Sequence, residues 1–543
     1  MGYVTYELGL EGIDVQQQQQ SRKGSRQQGD PRPDLCFAWV TKSIVVDHLE
    51  GTLRVQILAP NSATATSWVD STLARLSGSA FWRGGLQQVD STKCDRVDNN
   101  AADIAGQPTP PLTPTTTGST KMTNTTSMTT TQIQTPDAAE YEAKVRRCQE
   151  FIASGDSYEL CLTDQTLITT TTTTTATSHN HNHNHKNKTN NSSSTQLKDS
   201  TSWALYRRLR TRQPAPFGSY IRLGGATLVS SSPERFLEFD GVKGWCSMRP
   251  MKGTVRKKCK DKRKESSTMK RNAYEGGGSV ASKGEDEDKD EEGGEGEGVS
   301  TLEQAERLLR IPKEEAENLM IVDLVRHDLH GVCGAGGVSV PHLLKVEEYA
   351  SVFQMVSIVE GRFPPSPSLL PSSSSYIRTT TDNGENPQRH GEMQNQKQKQ
   401  KQERITGLDV LAASLPPGSM TGAPKKRSCE LLLGIEEGRE RSLYSGVVGY
   451  MDVAGRGDWS VTIRSLFRWD DETVTTRIVR DGDDGNGTGE EEEKMMMVHE
   501  EEVWHIGAGG AVTALSTPRG ERDEMFTKLR GPLGVFEDER SST

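Results

Sequence analysis

Apolar and polar positions alternate over residues 53–58, where Leu53, Val55 and Ile57 share a face. With the run Ile44-Val45-Val46 this predicts a first pair of strands. Strand-like patterning returns at 157–162, 218–223, 226–231, 338–340, 351–359, 445–453, 459–467 and 503–506. Helical spacing predicts a helix from Asp137 through Ile152 that stops at Gly155, and another leading from Ser202 towards Pro214. Residues 300–330 carry two helices. Ser300 or Thr301 caps the first, Pro312 opens the second, and Gly331 stops it near Leu329. A short helix at 409–415 precedes a Pro- and Gly-rich turn at 416–423. A helix then opens near Pro424 and closes at Gly434, and a last one runs from Thr517-Pro518 to near Gly531. Strands and helices are interspersed without regular βαβ alternation, which predicts an α+β fold.

Between these elements the pattern lapses. A Gln run at 16–20 reads as a loop insert, and the Thr/Pro-rich residues 106–136 read as a disordered linker. Further inserts fall near 167–200, 256–299, 364–402 and 470–493, leaving 533–543 as a tail. The first of these holds poly-Thr and then His179, His181, His183 and His185 alternating with Asn. Alternating His can bind metal, but the low-complexity setting favours a plain solvated tract. The organisation expected is a partial N-terminal region over 1–105 and a main domain over 137–532.

Composition agrees. The chain has 543 residues, enough for two or three domains, yet only 32% are hydrophobic and the mean hydropathy is −0.67, a deficit that the inserts explain. The net charge of −10 comes largely from acidic runs inside those inserts, and no basic footprint points to nucleic acid. No apolar run reaches the length of a membrane span, and the N-terminus lacks the basic-then-apolar pattern of a signal peptide. Eight scattered Cys without a C-x-x-C pair fit reduced thiols in a cytoplasmic protein.

Some residues could carry chemistry. Lys252, in Arg249-Pro250-Met251-Lys252-Gly253-Thr254, is either a surface Lys at a strand end or a buried amine. Burial would lower its pKa and make it nucleophilic. Glu317 shares a helix face with Met320, Ile321 and Leu324, so it either reaches water at the edge of that stripe or is buried against a cation. Glu524 and Lys528 form an ordinary i,i+4 pair unless another carboxylate converges on them. Glu317 with Glu524 would suit Mg²⁺, which takes few protein ligands. Thr462 and Arg464 share a face if 459–467 is one strand. Arg464 would then either fork onto a ligand carboxylate or pair across the sheet. Thr421-Gly422-Ala423 before a helix N-terminus, and Gly507-Ala508-Gly509-Gly510, allow close backbone approach to an anion. Cys333 reads as an ordinary loop Cys.

Taken together, residues 231–236, 249–254, 316–324, 417–424 and 462–464 resemble the chorismate-utilising enzymes, most nearly the group that forms 4-amino-4-deoxychorismate. The resemblance spans about 138–532 apart from the inserts. It implies two large antiparallel sheets packed together with helices outside. It also implies Mg²⁺-dependent reaction of chorismate with ammonia, either free or supplied by a glutaminase subunit or by an upstream glutaminase domain. By motif position Glu317 and Glu524 would hold Mg²⁺. Thr421, Gly422, Tyr450, Thr462, Arg464, Gly509 and Lys528 would bind substrate, and Lys252 would attack the ring. Anthranilate-forming relatives usually carry Ala where Lys252 stands, and isochorismate-forming relatives a Lys where Glu159 stands. Two departures accompany the match. Gln354 stands where many relatives have His, and Gln cannot deliver a proton at neutral pH. The chain also begins inside the family's N-terminal region, so early strands are expected to be missing. The alternatives are an anthranilate synthase component, or a non-catalytic relative that binds chorismate or a glutaminase.

Overall fold

The computed structural model describes residues 1–16, 32–58, 62–78, 125–178, 193–258, 299–349, 352–363, 405–480 and 494–536. Its frame is two antiparallel sheets. The first, of nine strands, runs in the order Met251–Arg256, Val352–Arg362, Trp245–Met248, Arg235–Asp240, Arg456–Val461, Val447–Met451, Gly2–Val4 and Leu35–Phe37, with Val338–Glu348 also paired to Val352–Arg362. The second, of eight, runs Gly422–Ala423, Glu159–Ser178, Lys494–Val512, Ser465–Trp469, Ala226–Ser232 and Phe217–Leu223, with Thr125–Gln134 and Val474–Arg480 on side branches. A separate hairpin joins Lys42–Asp47 to Thr52–Ile57, the strand pair expected from alternation. The N-terminal strand Gly2–Val4 pairs with Val447–Met451, so this end of the chain is built into the main sheet.

One buried cluster draws on both sheets. It joins Phe236, Phe239, Val447 and Trp459 of the first with Cys161, Leu228 and Phe467 of the second, and adds Ile321, Val325 and Leu329 from the helix Pro312–Cys333. A second cluster buries Leu162, Ile168, Val229 and Trp504 of the second sheet. Against these pack Tyr141 and Val145 of Ala138–Ala153, Leu432 of Lys425–Ile435 and Met525 of Pro518–Leu533. These contacts produce the expected sheet pair with helices outside, because each element turns one apolar face to a sheet.

Helix ends follow the capping chemistry in the sequence. Asp137 accepts from the N–H of Glu140, and Thr301 and Thr517 accept from Gln304 and Gly520. The helix opened by Pro312 does not stop near Leu329. It continues to Cys333 because Val332 and Cys333 pack against the core, and Gly334 at φ 75° ends it. Pro424 is the N-cap of Lys425–Ile435, one residue before the helix proper.

Three expectations are corrected. The linker at 106–136 and the inserts near 167–200 and 470–493 are partly strand. Glu159–Ser178 pairs along its length with Lys494–Val512, from Leu160 opposite Val512 to Ser178 opposite Lys494. Thr125–Gln134 pairs on its other side, and Val474–Arg480 pairs with Met495–Glu501. Thr is β-branched and fits a pleated sheet once a partner strand is present, so low complexity alone was a poor guide. The strand expected over 459–467 is two strands in different sheets. Arg456–Val461 pairs with Arg235–Asp240, and Ser465–Trp469 pairs with Ala226–Ser232. Thr462-Ile463-Arg464 carries the chain across, with Arg464 at φ 53°. Finally, the strand expected over 503–506 runs on through Gly507-Ala508-Gly509-Gly510 to Val512. The inserts at 259–298 and 364–404, the His/Asn tract, most of the linker and most of the tail lie outside the described residues.

Candidate active site

Lys252 begins from a bulge. It lies opposite Met355 while Thr254 lies opposite Gln354, so Gly253 is the extra residue and turns at φ 76°. A Cβ at Gly253 would lie 2.9 Å from Leu309 and 3.1 Å from Glu314. The bulge aims Lys252 inward, where its side chain is 17% exposed and its Nζ lies 3.4 Å from Glu317 and 3.8 Å from Glu159. Burial alone would lower the pKa of this amine, but Glu159 and then Glu317 outweigh it and raise the pKa above the usual lysine range. The expected neutral, burial-depressed amine is therefore corrected: with its carboxylates in place, Lys252 is an ammonium held in an ion pair.

Four carboxylates share this region. Glu317 sits on the buried face of its helix, the second of the two alternatives its spacing left open. Glu159 starts the long strand of the second sheet, and burial first of all, against the pull of Lys252, raises its carboxyl to about 7. Glu521 and Glu524 project from Pro518–Leu533. Lys313, one turn before Glu317, bridges the group: its Nζ is 2.9 Å from Glu521 and 3.7 Å from Glu317. Lys528 Nζ lies 2.6 Å from Glu524 and donates to the Gly509 carbonyl at 2.8 Å. Burial would raise the pKa of Glu524, but the Lys528 charge and hydrogen bond hold it down at about 2. A Cβ on Gly510 would lie 2.9 Å from Glu521 and 3.6 Å from Glu524, so the glycine makes room beneath both. Glu521 and Lys313 escaped the sequence reading. The signals were the spacing of Glu521 and Glu524, three apart on one helix, and of Lys313 and Glu317, four apart on another.

Among the described residues no group of three or more His, Cys, Asp or Glu is arranged to hold a metal ion. The donor set is nonetheless that of a hard dication, which takes few protein ligands. Glu317 Oε1 and Glu521 Oε2 are buried without a hydrogen-bond partner, and such orphaned carboxylate oxygens fit a bound cation.

The strand Gly422–Ala423 lies along the start of the Glu159 strand. Cys161 donates to the Thr421 carbonyl and Tyr158 to the Ala423 carbonyl, both at 2.8 Å. Gly422 is at φ 147°, and a Cβ there would collide with the Glu159 carbonyl. The Thr421 N–H and hydroxyl both donate to the Gly418 carbonyl, at 3.3 and 3.1 Å. Behind this loop Arg441 is buried. It donates to Met420 O at 2.7 Å, to Cys161 O at 2.9 Å and to both oxygens of Glu436.

Thr462 is buried in the crossing segment. Burial lowers the pKa of the Arg464 guanidinium, opposed by Tyr444 and then Glu524. Desolvated in this way, Arg464 is suited to grip a ligand carboxylate. Tyr450 is set apart. It is 52% exposed and faces Asp458, Glu238 and Arg235, because it lies on the Val447–Met451 strand of the first sheet. The buried Tyr444, not Tyr450, is the tyrosine beside Arg464. It precedes its strand, where alternation gives no signal. Glu234 lies two residues beyond the strand Ala226–Ser232, within the segment 231–236. Burial raises its carboxyl to about 7 despite a hydrogen bond with Ser419, and it senses the charges of Lys252 and Lys528. Gln354 lies opposite Thr254 on the neighbouring strand.

Residues 1–372 and 398–479 match the chorismate binding enzyme family. Among similar proteins, an aminodeoxychorismate synthase of Saccharomyces cerevisiae is 30% identical over 423 residues, covering 74% of this chain and 37% of the relative. The chloroplastic aminodeoxychorismate synthase of Arabidopsis thaliana is 27% identical over 505 residues, covering 93% and 37% respectively. The chain thus spans little more than a third of the length of these relatives. Among solved structures, anthranilate synthase component I from Streptococcus pneumoniae has a TM-score of 0.51 at 17% identity, over 98% of this chain and 79% of that one, a likeness of fold. With the match running through both sheets and most of the residues gathered at Lys252, the chain belongs to the chorismate binding enzymes.

Proposed function

We propose that this chain converts chorismate and ammonia to 4-amino-4-deoxychorismate, on the route to para-aminobenzoate and folate. The observation that carries the reading is the juxtaposition of Lys252 with Glu159 and Glu317 in a member of this family. Lys252 must first lose a proton. Glu159, with its carboxyl raised to about 7, is the acceptor within reach. The free amine then attacks ring carbon two as the hydroxyl leaves carbon four, and ammonia adding at carbon four expels the lysine nitrogen. Gln354 has no proton to give the departing hydroxyl. Glu234, also raised to about 7, is the buried acid that would give it.

Arg464 would pair with a substrate carboxylate, Tyr444 would line the pocket beside it, and Thr421, Gly422, Thr462, Gly509 and Lys528 would shape the remainder. Glu317 and Glu524, with Glu521 beside them, would hold Mg²⁺, and the ion would supply positive charge for the ring carboxylate of chorismate. Ammonia would come from a glutaminase, as a separate subunit or an upstream domain. Two bacterial relatives of this chain, 26–27% identical, are named component 1, which supports a partner component.

The test is purified protein with chorismate, Mg²⁺ and ammonium, coupled to the lyase that releases para-aminobenzoate. Product should form, and Lys252→Ala should remove it while the protein stays folded. Accumulation of anthranilate, or turnover undiminished in Lys252→Ala, would sink this reading.

A further inference from the structure

A pair of thiols in the shared core takes no part in the chemistry above. Cys246 is fully buried in the strand Trp245–Met248, directly opposite Gly361 in the sheet. Cys333, in the last turn of Pro312–Cys333, is partly exposed. Both sulfurs occupy the space over Gly361, where a Cβ would lie 2.7 Å from each. The missing side chain is what lets the two thiols meet. A hydrogen bond between them pushes the pKa of Cys246 up and that of Cys333 down. Cys333 is thus the more exposed residue of the two and the readier thiolate.

We propose that Cys246 and Cys333 form a redox-active dithiol that a disulfide-type oxidant converts to an intramolecular disulfide. The Cys333 thiolate attacks the oxidant's disulfide, giving a mixed disulfide and expelling one thiolate. Cys246 then gives up its proton and attacks the Cys333 sulfur, releasing the second thiolate. Two protein thiols lose two electrons in all, and the oxidant's disulfide is reduced to two thiols.

The position gives this exchange a structural consequence. The Cys246 strand leads through Arg249 and Pro250 into the strand of Lys252, while the Cys333 helix carries Glu317 near its other end. The bridge would fasten these two elements at their ends away from the carboxylate cluster, and would add a covalent tie across 87 positions of chain without touching a residue of the site.

The experiment treats the full chain with glutathione disulfide, then maps peptides without reduction and records melting temperatures. The expected result is a Cys246–Cys333 linked peptide, an intact mass lower by two hydrogens, reversal by dithiothreitol, and a higher melting temperature for the oxidised form. Cys246→Ala should stop at a glutathione adduct on Cys333, and Cys333→Ser should abolish the bridge and the redox dependence of melting. A folded wild-type protein that keeps both thiols free, retains the adduct on Cys333, or links either sulfur to another cysteine would overturn the proposal.

Discussion

At the scale of the residue, the charge on Lys252 decides reactivity. Its ammonium is held by Glu159 and Glu317, so activity that needs the free amine has to overcome that pair. Removing one carboxylate weakens the hold. Glu159→Gln should move the acidic limb of the pH profile for single-turnover attack to lower pH, because the amine then frees its proton more readily. It should also slow the reaction at neutral pH by about 10²–10⁴-fold if Glu159 is the proton acceptor. An unmoved profile with unchanged rate would deny Glu159 both roles. Gly422 makes a second residue-scale case. Its φ of 147° and the Glu159 carbonyl beneath it leave no room for a methyl group. Gly422→Ala should therefore displace the loop and raise KM for chorismate, with little change in the far-ultraviolet circular dichroism.

At the scale of the element, the site depends on a clamp behind it. Arg441 ties the carbonyls of Met420 and Cys161, on two different elements, to the carboxylate of Glu436, with its guanidinium 4.5 Å from the centre of the Tyr6 ring. Glu7 fastens the helix Tyr6–Gly12 to the same place by accepting from the N–H groups of Arg441 and Ser442. Arg441→Met leaves Glu436 buried without its counter-charge, with only Thr163 still donating to it, which costs about 3–5 kcal/mol. Urea unfolding would measure this, and a loss under 1 kcal/mol would mean that water or a neighbour replaces the clamp. Leu329, fully buried on the helix of Glu317, is the matching apolar case. Leu329→Ala should cost about 2–5 kcal/mol by opening a cavity in the shared core.

At the scale of the whole molecule, buried carboxyls set the pH dependence of stability. Burial raises Glu7, Glu159 and Glu234 to about 7 and Asp328 to about 6, above reference values of 4.5 for Glu and 3.8 for Asp. Between those limits the folded chain binds more protons than the unfolded one, so these groups favour folding increasingly as pH falls from above 7 towards 4.5. Glu524, held at about 2, works in the opposite sense: its contribution is present above 4.5 and is lost as pH falls towards 2. The melting temperature should climb from about pH 8.5 to about pH 5.5 and drop below about pH 4. A steady decline over the upper range would show that water reaches these carboxyls.

The sequence by itself determined most helices and strands, the helix starts at Asp137, at Ser300 or Thr301 and at Thr517, and Glu317 on an apolar helix face, because periodicity and capping are local. Tertiary structure decided what local pattern cannot contain. The Thr-rich run of Glu159–Ser178 became strand because Lys494–Val512 lies beside it, and Thr125–Gln134 because it pairs on that run's other side. Arg464 left its expected strand because the chain changes sheets there, and Tyr444 replaced Tyr450 beside it. The protonation of Lys252 depended on Glu159, 93 positions away in the chain, and on Glu317, 65 away. An ionisable group takes its charge from whatever shares its desolvated space, and long-range packing alone fixes that company.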